Sequence, residues 1–475
     1  MSQFDHTPSL HDEGFSLSFS QQRLWLFEQL NPSSQAYHLG GLIWFNGELD
    51  VSLLEQAINE LLSGHDVFRT HLVEGEAGVK QQIRDYQWLA LPLQDVTSEA
   101  DAMAAARQHA KQIWRKPYDL NQGPLTRVKC FKVGPQQYGL LLACHHMVMD
   151  AWSLQLVMKY LVQSQTGKNK PWRSKQNYQE FVAAQASYLK SAAAEEDLAE
   201  LARLLPRQLP ELGLPRLSQE NRDSYPANQF EARLSKQLDQ QLNAAGKAMN
   251  CSKFALLSLS LQLALAHHSG TDCAAITVPS LNRNAKTRRA LGFFVNNILS
   301  STEFDWSQSF AHHLTQNQAQ FKAALKLQHV PLEQAKQALS KVAFNFRSHG
   351  DGNQIQDDSL SVAFEEFEVA ETPFEMVLDV ISGEQVSLRW VYANSLFSDD
   401  TMKRFHQQFL TLLGHICQAP EQPLHQILVL LGKKSPGLIP VNTDYSAAEL
   451  FSDLVDQQAA QRPEAIALVH GKRRV

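Results

Sequence analysis

The stretch LLACHHMVMDAW, residues Leu141–Trp152, joins a run of apolar residues to two histidines and an aspartate. The apolar run predicts a buried strand, and side chains alternate between the two faces of a strand. His145 and His146 therefore point in opposite directions, so that one of them can face a cleft. Histidine exchanges protons readily near neutral pH. A histidine at a strand end is more often a hydrogen-bonded structural residue, an expectation that the following Asp150 weakens without removing.

The residues around this stretch alternate between helical and extended patterns, which predicts an α/β fold with one mixed sheet in this half of the chain. The expected helices are Gln21–Leu30, Val51–Leu62, Ala100–Arg115 and Ser153–Gln163. The expected strands are Leu39–Phe45, Val67–Leu72, Gly78–Ile83, Arg127–Lys132 and Gln137–His146.

A polar stretch, Gln163–Gln176, separates this half from a second half of the same α/β character. The helices expected there are Tyr178–Lys190, Lys236–Ala248, Phe254–His268 and Met402–Cys417. The strands expected there are Gln229–Leu234, Cys273–Pro279 and a later pair, Leu360–Glu368 and Gln385–Tyr392. The repetition predicts two similarly built lobes with a cleft between them.

The composition limits the classes of partner. The chain of 475 residues is too long for one simple core, and its net charge of −6 argues against nucleic acid. Its five cysteines show neither a CxxC spacing nor a plausible zinc set, which suits a reducing cytoplasm and predicts no metal site. No apolar leader opens the chain, and the longest apolar stretch, Phe254–Ala266, is too short to span a bilayer. We expect a cytoplasmic protein that binds neither nucleic acid nor membrane.

The last residues begin a new pattern. Gly432–Tyr445 has the composition of a linker, Leu450–Ala459 starts an amphipathic helix and Ile466–Val469 starts a strand. One helix and one strand cannot enclose a core. We therefore expect the chain to be a piece of a longer protein.

Five segments, in order along the chain, resemble the motifs of the condensation domains of nonribosomal peptide synthetases. The family patterns are SxAQxRLW, RHExLRT, HHxxxDG, IGxFVNT and HxDVPFE. The matching segments are SFSQQRLW (Ser18–Trp25), HDVFRT (His65–Thr70), HHMVMDAWS (His145–Ser153), LGFFVNN (Leu291–Asn297) and QHVPLE (Gln328–Glu333). The final residues, Ala459–Val475, resemble the opening of an adenylation domain, the usual downstream neighbour.

The resemblance implies two chloramphenicol acetyltransferase-like α/β lobes in a V-shaped pseudo-dimer, with the active site in the cleft between them. One chain then supplies both lobes, so we expect a monomer. The implied divisions are an N-terminal extension (1–14), an N-terminal lobe (15–172), a C-terminal lobe (173–431), a linker (432–449) and the truncated start of an adenylation domain (450–475).

The implied reaction is amide formation by acyl transfer. The amine of an aminoacyl thioester on a downstream acceptor carrier protein attacks a donor acyl or peptidyl thioester on an upstream carrier protein. Each thioester is carried on a phosphopantetheine arm that enters its own end of a tunnel. The domain itself is expected to bind no cofactor, and its partners are the two carriers and the adjacent adenylation domain.

The resemblance also assigns candidate catalytic residues. His146 is expected to act at the amine, either as a base or by orienting it, and the sequence leaves both roles open. His145 more plausibly supports the loop. Asp150 could act as a second acid or base, but we favour a structural ion pair with Arg283, because a buried carboxylate needs a positive partner.

Further residues are expected near the reaction. Ala151 departs from the family glycine, with reduced rate, altered substrate choice or no consequence all open. With Trp152 and Ser153 it forms the expected active-site loop, where Ser153 could cap the following helix. Phe294 and Asn296 are candidate tunnel-lining residues, although packing of a strand would explain them equally well.

The subtype expected from the opening motif is one that uses L-configured or starter-acyl donors. A heterocyclisation domain is disfavoured because it carries aspartate where this chain has His145, and an epimerisation domain fits the tail poorly. Two alternatives remain, a catalytically weak carrier-docking domain of the same fold and a stand-alone acyltransferase that uses coenzyme A. The adenylation-like tail argues against the second.

Overall fold

The computed structural model describes residues 14–76, 78–165, 172, 177–206, 208–219, 221–222, 224–335, 338–348, 354–357, 360–428, 469–470 and 473–474. The chain divides into two units, Met1–Lys434 and Ser435–Val475. The helices described are α1 (Phe19–Leu30), α2 (Val51–Gly64), α3 (Ala102–Trp114), α4 (Ala151–Ser164), α5 (Tyr178–Tyr188), α6 (Ala192–Leu204), α7 (Lys236–Ala248), α8 (Lys253–Ser269), α9 (Phe310–Lys326), α10 (Asp399–Gln418) and α11 (Leu424–Leu428).

The strands described are β1 (Phe15–Ser16), β2 (His38–Gly47), β3 (Thr70–Gly75), β4 (Gly78–Ile83), β5 (Leu93–Asp95), β6 (Thr126–Gly134), β7 (Gln137–His145), β8 (Tyr225–Arg233), β9 (Cys273–Ser280), β10 (Asn296–Glu303), β11 (Val342–Ser348), β12 (Gln354–Asp357), β13 (Leu360–Glu366), β14 (Glu371–Thr372), β15 (Met376–Ser382), β16 (Ser387–Ala393), β17 (Val469–His470) and β18 (Arg473–Arg474). Short 3-10 helices occupy Asp66–Phe68 and Leu332–Ala335.

Two large sheets confirm the expected pair of α/β lobes. The first sheet has the strand order β12–β13–β2–β7–β6–β5, and the second has the order β10–β9–β11–β15–β16–β8–β14. The expectation of one mixed sheet in the first half is wrong in one respect. Strand β4 pairs with β3 on one side and with β1 on the other in a separate three-stranded sheet, and the start of the predicted strand Val67–Leu72 is a 3-10 turn.

The eight helices predicted before residue 432 are all present, with ends within three residues of those expected. Their starts are set by side-chain caps. Asp50 accepts the backbone N–H groups of Ser52 and Leu53 at α2, and Ser252 accepts that of Ala255 at α8. Helices α6, α9 and α11 lie outside the predicted set.

Helix α8 confirms the expected buried helix, because every residue from Ala255 to Ala266 is buried in the core of the second sheet. It ends at Gly270, whose φ of 69° is the left-handed conformation that glycine adopts easily. Over the described residues, length and composition give no single helix that could cross a membrane, whereas α7 and α8, bent by 104°, pass that test only as a pair.

Strand β13 crosses from one lobe to the other. The sequence predicts it beside the strand at Gln385–Tyr392, but β13 pairs antiparallel with β2 of the first sheet, with Phe364 opposite Ile43. Strand β16 pairs with β15 and β8 in the second sheet. Leu360 and Val362 are buried in the core of the first lobe, so that burial of apolar side chains decides the pairing. An N-terminal lobe limited to residues 15–172 therefore omits two strands of its own sheet, β12 and β13.

The second unit is described only at its end. Val469–His470 and Arg473–Arg474 pair antiparallel in a two-stranded sheet. The predicted linker and the helix at Leu450–Ala459 lie outside the described residues, and the predicted strand at Ile466–Val469 shares only Val469 with β17. The start of an adenylation domain stays a prediction.

Candidate active site

The turn between β7 and α4 carries the two histidines. Strand β7 ends at His145, and the backbone N–H of His146 donates to the carbonyl of Tyr37, at 2.9 Å, as the chain leaves the sheet. Two further turn bonds join Val148 to His145 and Met149 to His146. From residue 145 to residue 150, His146 alone is partly exposed and the other five residues are buried. The fold therefore presents one functional side chain from this turn.

The ring of His146 is held in one orientation and one tautomer. Its Nδ1 lies 3.0 Å from the carbonyl oxygen of Met149, and because a carbonyl only accepts, Nδ1 carries the proton. The rings of Tyr37 and Phe293 meet it edge-on, at centroid distances of 6.4 and 5.7 Å. Burial, with a smaller effect of His145, lowers the pKa of His146 to about 4. At neutral pH its Nε2 is therefore a free acceptor.

Both ring nitrogens of His145 are hydrogen-bonded within the protein. Its Nδ1 accepts the backbone N–H of Met147 at 3.0 Å, so the proton lies on Nε2, which donates to Glu28 Oε1 at 3.1 Å. The side chain is 1% exposed. No nitrogen of His145 is left to meet a substrate.

The carboxylate of Asp150 is fully buried and surrounded by donors. It accepts the backbone N–H of Ser153 at 2.7 Å and that of Phe294 at 3.1 Å. Arg283 Nη2 lies 2.9 Å from each of its oxygens. Such an arrangement engages both oxygens and leaves no lone pair directed at a substrate. Asp150 is also the N-cap of α4, so that the turn ends and the helix begins at this residue.

The side chain of the predicted partner, Arg283, is 3% exposed. It donates to two backbone carbonyls in addition to the Asp150 carboxylate. Its Nη1 donates to the carbonyls of Thr287 and Ala290, at 2.9 and 2.6 Å. The guanidinium lies over the ring of Phe294, 4.0 Å from its centroid. Burial lowers the pKa of Arg283, and the Asp150 carboxylate opposes that effect.

Ser153 joins α4 to the segment that follows Arg283. Its Oγ accepts the backbone N–H of Gly292 at 3.1 Å and donates to the carbonyl of the same residue at 2.9 Å. Gly292 has a φ of 156°, and a Cβ there would lie 2.2 Å from the ring of Tyr178, so only glycine fits. The possible capping role of Ser153 is wrong, because Asp150 is the cap and Ser153 is the residue whose N–H it accepts.

The expected active-site loop of Ala151, Trp152 and Ser153 is the first turn of α4. Ala151 is exposed, and it is not among the described non-glycine residues with positive φ, which are Ser33, Asn250 and Asn282. The backbone at this position therefore has no need of glycine. The indole of Trp152 donates to the carbonyl of Arg288 at 2.9 Å, which ties this turn to the Arg283 segment.

The two candidate tunnel-lining residues are buried instead. Phe294 is 1% exposed and packs against Arg283, Tyr178 and Phe181. Asn296 is 4% exposed, and its amide donates to the carbonyls of Gln328 and Val330 at 2.7 and 2.8 Å. Asn296 thus joins two of the motif segments, and the packing explanation given for both residues is the one that fits.

Two residues that shape the site are absent from the predicted set. Glu28 fixes the tautomer of His145 from helix α1, and Tyr37 holds the backbone and one face of His146. Glu28 could have been noticed as the one acidic residue of α1. Tyr37 lies in an irregular segment with no pattern to distinguish it.

A four-residue ion network joins the two sheets near His146. Glu366 lies on β13 of the first sheet, whereas Arg347, Asp379 and Arg389 lie on β11, β15 and β16 of the second. Both guanidinium groups contact Glu366 at 3.1 Å and both also contact Asp379. Burial would raise the pKa of Glu366, but the two arginines outweigh it and lower that pKa. The Glu366 carboxylate acts on His146 in turn, raising its pKa against the effect of burial.

One family model matches nearly all of the first unit. The family model described as "Condensation domain" matches residues 12–437. One of the linear gramicidin synthase proteins of Brevibacillus parabrevis is 27% identical over 98% of this chain, which spans 6% of that protein's length. Surfactin synthase subunit 2 of Bacillus subtilis (strain 168) is 24% identical over 96% of the chain, which spans 13% of its length.

Solved structures share the fold. The starter condensation domain of rhizomide synthetase, in a mutant complex with C8-CoA, aligns with a TM-score of 0.74 at 18% identity, over 87% of this chain and 96% of that one. The first condensation domain of the calcium-dependent antibiotic synthetase, bound to a substrate analogue, aligns with a TM-score of 0.73 at 16% identity, over 87% and 98%. The chain therefore belongs to the condensation-domain family of nonribosomal peptide synthetases, acyltransferases that form peptide bonds.

Proposed function

We propose that this chain joins a donor acyl or peptidyl thioester on an upstream carrier protein to the amine of an aminoacyl thioester on a downstream carrier protein. The observation that carries the proposal is the geometry of His146. Its Nδ1 proton is fixed by Met149 O, so Nε2 is an acceptor, and His146 is the one partly exposed residue of the turn.

The reaction forms one bond and breaks one. The amine nitrogen attacks the thioester carbonyl carbon, the new C–N bond forms, and the C–S bond then breaks as the carrier thiolate leaves. One amine proton is lost overall and the thiolate gains one. His146 Nε2 accepts a hydrogen bond from the amine and so directs the nitrogen lone pair at the carbonyl.

The pKa of about 4 favours positioning over full deprotonation by His146. An ammonium group formed by the attack binds its proton far more tightly than a histidine of that pKa does. A hydrogen bond to Nε2 still stabilises the positive charge that develops on nitrogen. His145 and Asp150, whose polar atoms are engaged within the protein, act as positioning residues in this proposal.

The developing oxyanion needs a donor as well. Helix α4 begins directly after Asp150, and its N-terminal end carries partial positive charge. We assign oxyanion stabilisation to the first backbone N–H groups of α4, since that of Ser153 is already used by Asp150. Ala151 leaves this backbone unchanged relative to glycine.

The donor subtype is proposed as L-configured or starter-acyl. Support comes from the opening motif and from the fold shared with a starter domain bound to C8-CoA. The carriers with their phosphopantetheine arms, the monomeric state, the cytoplasmic location and the domain boundaries remain predictions of the same proposal.

A single-turnover assay tests the function. Donor-loaded and acceptor-loaded carrier proteins are mixed with wild type, His146→Ala or the control His415→Ala, whose histidine lies partly exposed on α10. Amide product is followed by intact-protein mass spectrometry. We expect a loss of about 100-fold or more with His146→Ala and none with the control. Equal rates for both variants contradict the role of His146, and carrier binding without product from wild type favours the carrier-docking alternative.

A further inference from the structure

A basic segment follows strand β9. Between Asp272 and Glu303 the chain has four basic side chains and no acidic one, although its overall charge is −6. The four are Arg283, Lys286, Arg288 and Arg289. Charge of one sign over 30 residues is unusual in a chain of mixed composition and calls for a physical role.

One of the four is structural and three are not. Arg283 is buried against Asp150. Lys286, Arg288 and Arg289 are exposed, and among the described residues none of them forms an ion pair. Their charges are therefore available to an anion from outside the domain.

The backbone beneath these three residues is fixed. Asn284 Oδ1 accepts the backbone N–H groups of Lys286 and Thr287 at 2.8 and 3.1 Å, which closes a tight turn. Thr287 and Ala290 are buried on either side of the arginine pair, and both carbonyls accept from Arg283. Because the backbone is already ordered, binding of an anion costs only the rotamer freedom of the side chains.

The same segment is attached to the turn that carries His146. The carbonyl of Arg288 accepts the indole N–H of Trp152, and Arg283 binds the Asp150 carboxylate that caps α4. Trp152 lies six residues after His146. The backbone that carries the three exposed cations is thus attached to the turn that carries His146.

We infer that Lys286, Arg288 and Arg289 bind the phosphate of a phosphopantetheine arm and so set how far its thioester reaches toward His146. This inference rests on the proposed function. The phosphate is the fixed anion of every such arm, whatever acyl group it carries, which matches three exposed cations on a segment attached to the turn of His146. The upstream and the downstream arm share this chemistry.

Ligand binding to the full chain tests the inference directly. Phosphopantetheine and pantetheine, which lacks the phosphate, are titrated into the protein and followed by ligand-observed NMR. We expect phosphopantetheine to bind wild type about fivefold more tightly, with the preference falling as salt rises from about 0.05 M to about 0.5 M. The preference should vanish in Lys286→Gln/Arg288→Gln/Arg289→Gln.

A matched variant controls for net charge. Arg233→Gln/Lys236→Gln/Lys247→Gln removes the same charge from exposed positions elsewhere in the second lobe and should keep the preference. Equal binding of the two ligands to wild type overturns the inference. So does an equal loss of the preference in both triple variants.

Carrier titrations in the single-turnover assay then identify the arm. If the Lys286→Gln/Arg288→Gln/Arg289→Gln variant needs a higher concentration of only the donor carrier for half-maximal rate, the upstream arm is assigned. If it needs a higher concentration of only the acceptor carrier, the downstream arm is assigned. Unchanged dependence on both overturns the inference. Absence of product from wild type is a failure of the proposed function, and the phosphopantetheine titration then decides the inference by itself.

Discussion

His145 and His146, adjacent in the chain, hold their ring protons on opposite nitrogens. His145 accepts a backbone N–H at Nδ1 and donates from Nε2 to Glu28, whereas His146 donates from Nδ1 to the carbonyl of Met149. The first histidine is thereby fixed inside the protein and the second presents an acceptor outward. Glu28, near the end of α1, holds the outer nitrogen of His145, and the Met149 carbonyl sets the proton of His146.

Replacing Glu28 with alanine should destabilise the protein and slow the reaction. The change leaves His145 Nε2–H buried without an acceptor, which costs about 1–3 kcal/mol of the free energy of unfolding. Urea denaturation measures the stability and the single-turnover assay the rate. Glu28→Gln keeps an acceptor oxygen and should recover most of both. Equal effects of the two substitutions would show that the hydrogen bond is unimportant.

Replacing Arg283 with methionine should be strongly destabilising, because it leaves the fully buried Asp150 carboxylate without its cation. We expect a loss of about 3–5 kcal/mol in the free energy of unfolding. Asp150→Asn in the same chain should reduce that loss, so that the double variant is more stable than the two single effects predict. Strict additivity in denaturation experiments would argue against direct coupling.

Ala151→Gly should bring no gain in rate. Ala151 occupies an ordinary helical position with an exposed side chain, so glycine only increases backbone freedom in the unfolded chain. The expected change is a loss of stability of less than about 1 kcal/mol and an unchanged single-turnover rate. A tenfold faster reaction would mean that the alanine methyl group obstructs the site.

Stability should fall as the pH is lowered from about 6.5 to about 4. Burial lowers the pKa values of His38, His65, His146 and His268 to about 4 in the folded protein. The unfolded chain, with ordinary values of about 6.5, binds more protons in this window, so acid favours unfolding. Urea denaturation at several pH values measures the slope. His268→Gln removes one such group and should reduce it; an unchanged slope would assign the acid sensitivity to other groups.

Glu366→Gln should weaken the link between the lobes. It removes a charge that two arginines share, and since Glu366 is 31% exposed we expect a loss of only about 1–2 kcal/mol. The reaction should slow as well, because the network joins the strands on either side of the cleft. Glu368→Gln is the matched control, since Glu368 is 71% exposed and meets only Lys111 at 3.5 Å. Similar effects of both would contradict a special role for the network.

Local patterns were enough to place the helices and the turn of the site. The apolar spacing of Val51–Leu62 and the cap at Asp50 define α2, and the apolar run before His145 gives β7, which ends at His145 with His146 in the turn that follows. Burial of a charge was sufficient reason to expect a cation at Asp150, although only the family resemblance pointed to Arg283.

Contacts between distant segments escaped prediction. The role of Glu28, the burial of Phe294 and the partner of β13 all depend on residues more than 100 positions away. Ser153 shows the same limit. Its position suggested that its side chain caps α4. Instead, Asp150 accepts the backbone N–H of Ser153, and the hydroxyl of Ser153 donates to the carbonyl of Gly292.

The partner of β13 has a consequence for how the protein comes to be made. Ile43 and Phe364 face each other in the first sheet but are more than 300 residues apart in the chain. A ribosome adding about 5–20 residues per second needs roughly 15–60 s to reach the second strand after finishing the first. During that time the nascent lobe carries β2 with an open edge, the kind of edge that invites aggregation. In a hybrid synthetase assembled by exchanging lobes at residue 172, β2 of one parent protein would have to pair with β13 of the other.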